Sequence, residues 1–188
     1  MRRSRMILAA LLATTLTTGC GYNTIQRKDE AVNSAASQIK VQLQRRSDLI
    51  PNLVETVKGF AAQESTVFIG VTEARARLNG AIEGGRMGEM AEANQALTGA
   101  MGRLFAVVEA YPELKSNANF VQLQDQLEGT ENRIAVSRQD YNGAVQDFNA
   151  YVRQFPVNLT AKIFGMGNPR EYFELTNAEA AEAPKVKF

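Results

Sequence analysis

The chain has 188 residues, 45% hydrophobic and 22% charged, with a formal charge of +1, no His, no Trp and one Cys. That is an ordinary globular composition of about one domain. The missing His excludes a Ser-His-Asp triad, a Cys-His nucleophile pair and an imidazole-ligated metal, and a lone Cys excludes an internal disulfide, a CxxC redox pair and Cys-based zinc or Fe–S sites.

The first element is a leader. Arg2, Arg3 and Arg5 precede an apolar run from Met6 to Ala13 that fades through Thr14, Thr15 and Leu16. At roughly 11 residues the run is short of the about 20 that a membrane-spanning helix needs. A basic start, a short apolar core and small residues after it describe a secretory signal peptide. The only Cys closes it, in Leu16-Thr17-Thr18-Gly19-Cys20. This resembles the lipobox of bacterial lipoproteins, in which a small residue precedes the Cys that is acylated and becomes the new N-terminus. A lipobox usually carries Leu three residues before the Cys, where this chain has Thr17, with Leu16 one step further back. We therefore expect residues 1–19 to be a lipoprotein signal peptide, Cys20 to be the lipidation site, and residues 20–23 to be a short anchor linker. Two or three acyl chains, palmitate among them, anchor stably where one does not. Gly21 in place of an Asp after the Cys points to the periplasmic face of the outer membrane of a Gram-negative bacterium. The competing reading of Cys20 is an incidental thiol beside an ordinary cleavage site. Beyond residue 19 the chain holds 18 Lys and Arg against 20 Asp and Glu. That mild acidity argues against nucleic acid as a partner.

The body reads as helix throughout. Val32, Ala36, Ile39, Leu43, Ile50, Leu53, Val57, Phe60, Val67, Val71, Ala74 and Leu78 recur at alternating spacings of three and four, interrupted by Arg46 and Glu64. A second stretch places Met87, Met90, Leu97, Met101, Leu104, Val108 and Tyr111 in the same rhythm, with Asn94 intruding. A third places Phe120, Leu127, Ile134, Tyr141, Phe148 and Phe155 seven apart. Such spacing is that of amphipathic helices in a bundle or coiled coil. No segment alternates with period two for long enough to make a strand. The Met residues lie on a seam and read as core rather than as a promiscuous groove.

The breaks set the topology. Asn79-Gly80 and Gly84-Gly85 mark one turn, Tyr111-Pro112 another, and Phe155-Pro156 ends the third stretch. Pro51 falls inside the first. An unbroken helix over residues 24–80 would leave the apolar stripe of residues 24–50 uncovered, which a lone amphipathic helix does not tolerate. Folding back at Asp48-Leu49-Ile50-Pro51 removes the difficulty and puts Pro51 near a helix start. The expected fold is all-α: an antiparallel up-and-down four-helix bundle over residues 24–175 with a short C-terminal helical extension, then a flexible tail over 176–188. Under this topology two polar turns share the pole far from the membrane, which gathers Arg45, Arg46, Asp48, Asn52, Glu109, Tyr111, Lys115 and Asn117 as a candidate partner-binding surface.

Several ordered motifs carry a family resemblance. They include Tyr22-Asn23, Val41-Gln42-Leu43-Gln44-Arg45-Arg46, Leu53-Val54-Glu55-Thr56-Val57-Lys58-Gly59-Phe60 and Thr72-Glu73-Ala74-Arg75. Glu109-Ala110-Tyr111-Pro112-Glu113-Leu114-Lys115, Glu131-Asn132-Arg133-Ile134-Ala135, Tyr141-Asn142 and Tyr172-Phe173-Glu174 complete them. Over about residues 22–175 the chain resembles the LemA family. The resemblance implies a helical bundle held at a membrane by its N-terminal segment, and it carries across no catalytic residue and no cofactor. The departure is the anchor, since Cys20 stands where many members look to have a transmembrane helix.

Arg46, Glu64, Glu131 and Arg138 are the charged residues on or beside the seams. The favoured reading is a buried polar network that fixes helix pairing, because buried ion pairs add little net stability but select an arrangement. The alternative is a ligand or partner pocket built on Arg46 and Glu109. A di-metal carboxylate bundle would need Glu-x-x-His pairs, and paired carboxylates for glycoside hydrolysis would need a cleft, so no metal, cofactor or catalytic residue is expected. The functional expectation is a non-enzymatic envelope lipoprotein that scaffolds other envelope proteins. A small-ligand or cell-wall-fragment binder or enzyme is the second reading, and homo-oligomeric membrane remodelling the third.

Overall fold

The computed structural model describes residues 2–174, with side chains from Gly21 onward. The side chain of Cys20, those of the signal-peptide stretch, and the tail expected over 176–188 lie outside that description. The chain is all-α, and no strand occurs among the described residues. The helices are α1 (Arg2–Lys58), α2 (Ser65–Gly84), α3 (Met87–Glu109), α4 (Pro112–Lys115), α5 (Ala118–Val152) and α6 (Val157–Ile163).

The periodic seams are the core. Ile39, Leu43, Ile50, Leu53 and Val57 of α1, Leu78 of α2, Met90, Leu97 and Leu104 of α3, and Leu127 and Ile134 of α5 are all buried. Removing each such side chain from water contributes about 1.5–3 kcal/mol, so the apolar stripe, more than helix propensity, holds these helices in place. The seam residues that are exposed lie just past the ends of their helices. Phe60 follows the end of α1 and Phe155 the end of α5, and both are exposed.

The expected fold-back at residues 48–51 does not occur. α1 continues through Pro51 to Lys58, and the chain reverses over residues 59–64 instead, where the Ala61 amide donates to the Val57 carbonyl at 2.9 Å. The four main helices are therefore α1, α2, α3 and α5, with the first boundary moved past Pro51. Two physical facts explain the difference. First, α5 packs against α1, with Glu131 paired to Arg46, and so helps to cover the stripe around Pro51. Second, the cost of an internal proline is met locally. Proline lacks an N–H and orphans the carbonyl four residues earlier, here that of the fully buried Ser47. That carbonyl accepts from Arg75 Nε of α2 at 2.9 Å. The Ser47 hydroxyl donates to Asn79 Oδ1, also of α2, at 2.6 Å.

The described chain forms two compact units, residues 37–139 with 172–174 and residues 2–36 with 140–171. The first holds the four-helix bundle. Gly85, with φ of 75°, ends α2 in the left-handed conformation that glycine adopts without a steric cost, and Asn117 Oδ1 caps α5 by accepting from the amides of Asn119 and Phe120 at 3.0 and 3.1 Å. The second unit packs Ile25 and Val32 of α1 with Val145, Phe148 and Val152 of α5 as its core. The segment after α6 is clamped onto this unit. Asn149 uses both halves of its amide on Arg170, donating to its carbonyl at 3.0 Å and accepting from its N–H at 2.7 Å. The Arg170 side chain reaches Asp29 through Nε at 3.1 Å and through a terminal nitrogen at 2.5 Å. Tyr141 donates to the Glu171 carbonyl at 2.7 Å.

Candidate functional site

The four-helix unit buries one charged side chain, Arg46, whose side chain is only 7% exposed. Its position on the apolar seam of α1 turns it inward between α3 and α5. One terminal nitrogen donates to Glu131 Oε2 of α5 at 2.6 Å and to Asn94 Oδ1 of α3 at 2.6 Å. The buried Arg46 Nε has no hydrogen-bond partner. Burial pushes the guanidinium pKa down, and the Glu131 carboxylate pulls it part of the way back. Arginine stays protonated at neutral pH, so this group offers charge and hydrogen bonds rather than proton transfer.

Arg46 and Glu131 open onto a cleft of about 470 Å³ whose other walls include Met101, Phe105, Leu127 and Glu128. The cleft therefore combines an apolar floor, one buried cation and two carboxylates. Glu131 is half exposed, and Glu128 accepts from Gln124 on the surface of α5 at 3.2 Å.

The expected network is smaller than the set of four charges on the seams. Arg46 and Glu131 meet, but Glu64 takes the N-cap position of α2 without a side-chain cap bond, and Arg138 is exposed. The residue the sequence reading left out is Asn94. It was visible as the polar intruder on the second seam, facing the intruder on the first.

The eight residues expected at one pole are spread over two levels, because α1 does not turn at Pro51. Arg45, Asp48 and Asn52 are exposed along α1, and Arg46 lies about 18 Å along the axis from the end of α1, at 1.5 Å per residue. Asp48 accepts from Gln44 at 2.8 Å on that surface. Tyr111 sits instead at the 59–64 turn, where its hydroxyl accepts from Gln63. Lys115 pairs with Glu109, and Asn117 is occupied as the cap of α5. Among the described residues no group of three or more His, Cys, Asp or Glu side chains is placed to hold a metal ion.

A family model described as LemA family matches residues 35–188. The chain belongs to the LemA family. Magnetosome protein MamQ 2 of Paramagnetospirillum magneticum is 31% identical to this LemA-family chain over 194 residues, covering 91% of the chain and 70% of that protein. Magnetosome protein MamQ of Magnetospirillum gryphiswaldense is 29% identical over 175 residues, with coverage of 81% and 64%. Protein LemA of Metamycoplasma hominis is 22% identical over 147 residues, with coverage of 78% and 66%. The family match takes in the second part of α1 and all of α2 to α6, and hence Arg46, Arg75, Asn94 and Glu131. It begins 15 residues after Cys20.

Proposed function

We propose that this LemA-family chain is a non-catalytic helical scaffold of the cell envelope, held by acyl chains on Cys20 at the periplasmic face of an outer membrane and docking other envelope proteins on its bundle. The observation that carries this reading is the seating of the residues directly after Cys20. Gly21 is buried, the Tyr22 ring lies 4.5 Å from that of Phe164, and Ile25 is fully buried. Helix α1 runs unbroken through residues 20–23, and Gly21 and Tyr22 pack against the fold, so acylation at Cys20 would hold a folded unit against the bilayer with no slack between them. A family shared by magnetosome proteins and a mycoplasma LemA protein fits a helical platform used in different settings.

Metabolic labelling with an alkyne-bearing fatty acid tests the anchor. The wild-type chain takes the label and Cys20→Ser does not; an unlabelled wild-type chain refutes acylation. Photocrosslinking in cells from Asp48 on α1 or Lys115 on α4 tests the scaffold. Discrete crosslinked partners are expected, and their absence from both positions counts against a scaffold.

A second reading rests on the unpartnered Nε of Arg46 at the wall of its cleft, which suits an acidic ligand with an apolar body. Thermal shifts against metals, nucleotides and cell-wall fragments separate the two. A large specific stabilisation that Arg46→Met removes would favour a ligand site.

A further inference from the structure

The unit that contains Gly21 carries an apolar surface that its own fold leaves uncovered. α6 turns Thr160 and Ala161 inward, both buried, while Leu159 is 53% exposed and Ile163 77% exposed. Residues four apart on a helix share a face, so these two form an outward stripe. Phe155, 81% exposed, and Phe164, 54% exposed, lie just before and just after the helix. Large exposed apolar side chains gathered on one segment, where they form a contiguous patch, mark interaction surfaces.

The location of the stripe says what covers it. A Cβ built on Gly21 would lie 3.6 Å from Val157 Cγ2 of α6, and Phe164 is the ring against Tyr22. The stripe therefore adjoins the residue that follows Cys20. Arg153 and Lys162 are exposed beside it, which supplies the cationic flank that binds anionic headgroups. Apolar side chains on one face with basic residues at the margin are the pattern of a helix lying in a bilayer interface.

We infer that the Phe155–Phe164 segment is a second membrane contact, with Leu159 and Ile163 inserted at the headgroup–acyl boundary of an anionic bilayer. This rests on the anchoring of Cys20 proposed above and adds to it. A lipid tether alone leaves a domain free to swivel, whereas a tether and an inserted face fix which side of the unit meets the lipid.

The chain has no Trp, so single-tryptophan variants report without background. Leu159→Trp and Ile163→Trp are made in the full chain, with Ser34→Trp as a control. Ser34 is an exposed residue of the same unit, about 21 Å along α1 from Cys20 at 1.5 Å per residue. The acylated proteins are reconstituted into phosphatidylethanolamine–phosphatidylglycerol vesicles with or without bromine on the acyl chains. The expected result is blue-shifted emission at positions 159 and 163, quenched about twofold or more by brominated lipid, with the control unquenched. Arg153→Glu with Lys162→Glu is expected to reduce the quenching at 159. A chain that floats with the vesicles but is not quenched at 159 or 163 overturns this inference and leaves the anchor intact. A blue shift without quenching also overturns it, since protein rather than lipid then covers the face. A chain that does not float refutes the anchor, and the inference with it.

Discussion

The repair of α1 at Pro51 makes a quantitative prediction. The proline orphans the Ser47 carbonyl, and Arg75 Nε of α2 takes it at 2.9 Å. A hydrogen bond from a charged donor contributes about 1.5–3 kcal/mol net, and an unsatisfied buried carbonyl costs about 1–3 kcal/mol. Arg75→Met, which keeps much of the aliphatic stem, should therefore destabilise by about 2 kcal/mol. An alanine at position 51 would bring back the N–H that Ser47 otherwise receives within the helix. Helix propensity favours alanine by about 3 kcal/mol, less about 0.4–1 for the more flexible unfolded chain and less again because Arg75 already serves the carbonyl. Pro51→Ala is expected to stabilise by about 1–2 kcal/mol. The decisive quantity is the coupling. With Ala at 51 the carbonyl no longer needs Arg75, so the cost of Arg75→Met should fall by at least about 1 kcal/mol. Equilibrium urea unfolding of the four proteins, followed by circular dichroism with the slope monitored for constancy, measures the cycle. Additivity within about 0.5 kcal/mol would refute the claim that Arg75 compensates the proline.

Four other perturbations follow from the geometry. Arg46→Met removes a buried charge and leaves Glu131 half exposed and free to rehydrate, so stability should stay within about 1 kcal/mol of wild type. Glu131→Ala leaves the guanidinium with Asn94 alone and should cost about 1–3 kcal/mol, below the about 3–5 kcal/mol of a fully buried pair because Glu131 is half exposed; the opposite ordering in urea unfolding would show that Arg46 is not a buried cation held by its partner. Burial, with Glu171 adding to it and Arg170 opposing it, raises the Tyr141 phenol above its usual pKa. The folded state thus holds that proton more tightly, a stabilisation present below the ordinary value of about 10 and lost as pH rises through the folded pKa. Tyr141→Phe should cost about 1 kcal/mol at neutral pH and flatten the alkaline decline in thermal stability. Asn149→Ala removes both contacts to the Arg170 backbone, and hydrogen exchange at the Arg170 amide should accelerate about tenfold or more.

Helical class, seam residues and most turns could be read from the amino-acid pattern because apolar spacing reports burial directly. Leu43, Ile50, Leu53, Leu97, Leu104 and Leu127 are core residues on those grounds. Pro51 could not be placed in the same way. Whether a proline ends a helix depends on whether another element supplies a donor to the carbonyl it frees, and Arg75 is 28 residues distant from Ser47. That misplacement propagated. A turn at Pro51 would put Arg45, Asp48 and Asn52 at the level of Tyr111, whereas the bundle puts Gln63 there. The Arg46 site was half legible, since two polar intruders on facing seams imply a pair, but the register that brings Asn94 rather than Glu64 or Arg138 to Arg46 is a property of the assembled helices. The clamp on Arg170 was not legible at all. A backbone amide and carbonyl are its partners, and these leave no mark in the sequence.

That clamp has a consequence for how the chain can vary. The Asn149 carboxamide engages both groups of one residue as a neighbouring peptide unit would, so it recognises main chain and is blind to side-chain identity at the position it holds. What it reads is chain length. The connection from Val152 through α6 to Arg170 must deliver one particular peptide to one amide, and a residue inserted or deleted there must be absorbed as a local bulge before Arg170. The clamp therefore binds the segment in count, while its side chains answer to their own contacts, Phe164 to Tyr22 and Arg170 to Asp29 among them.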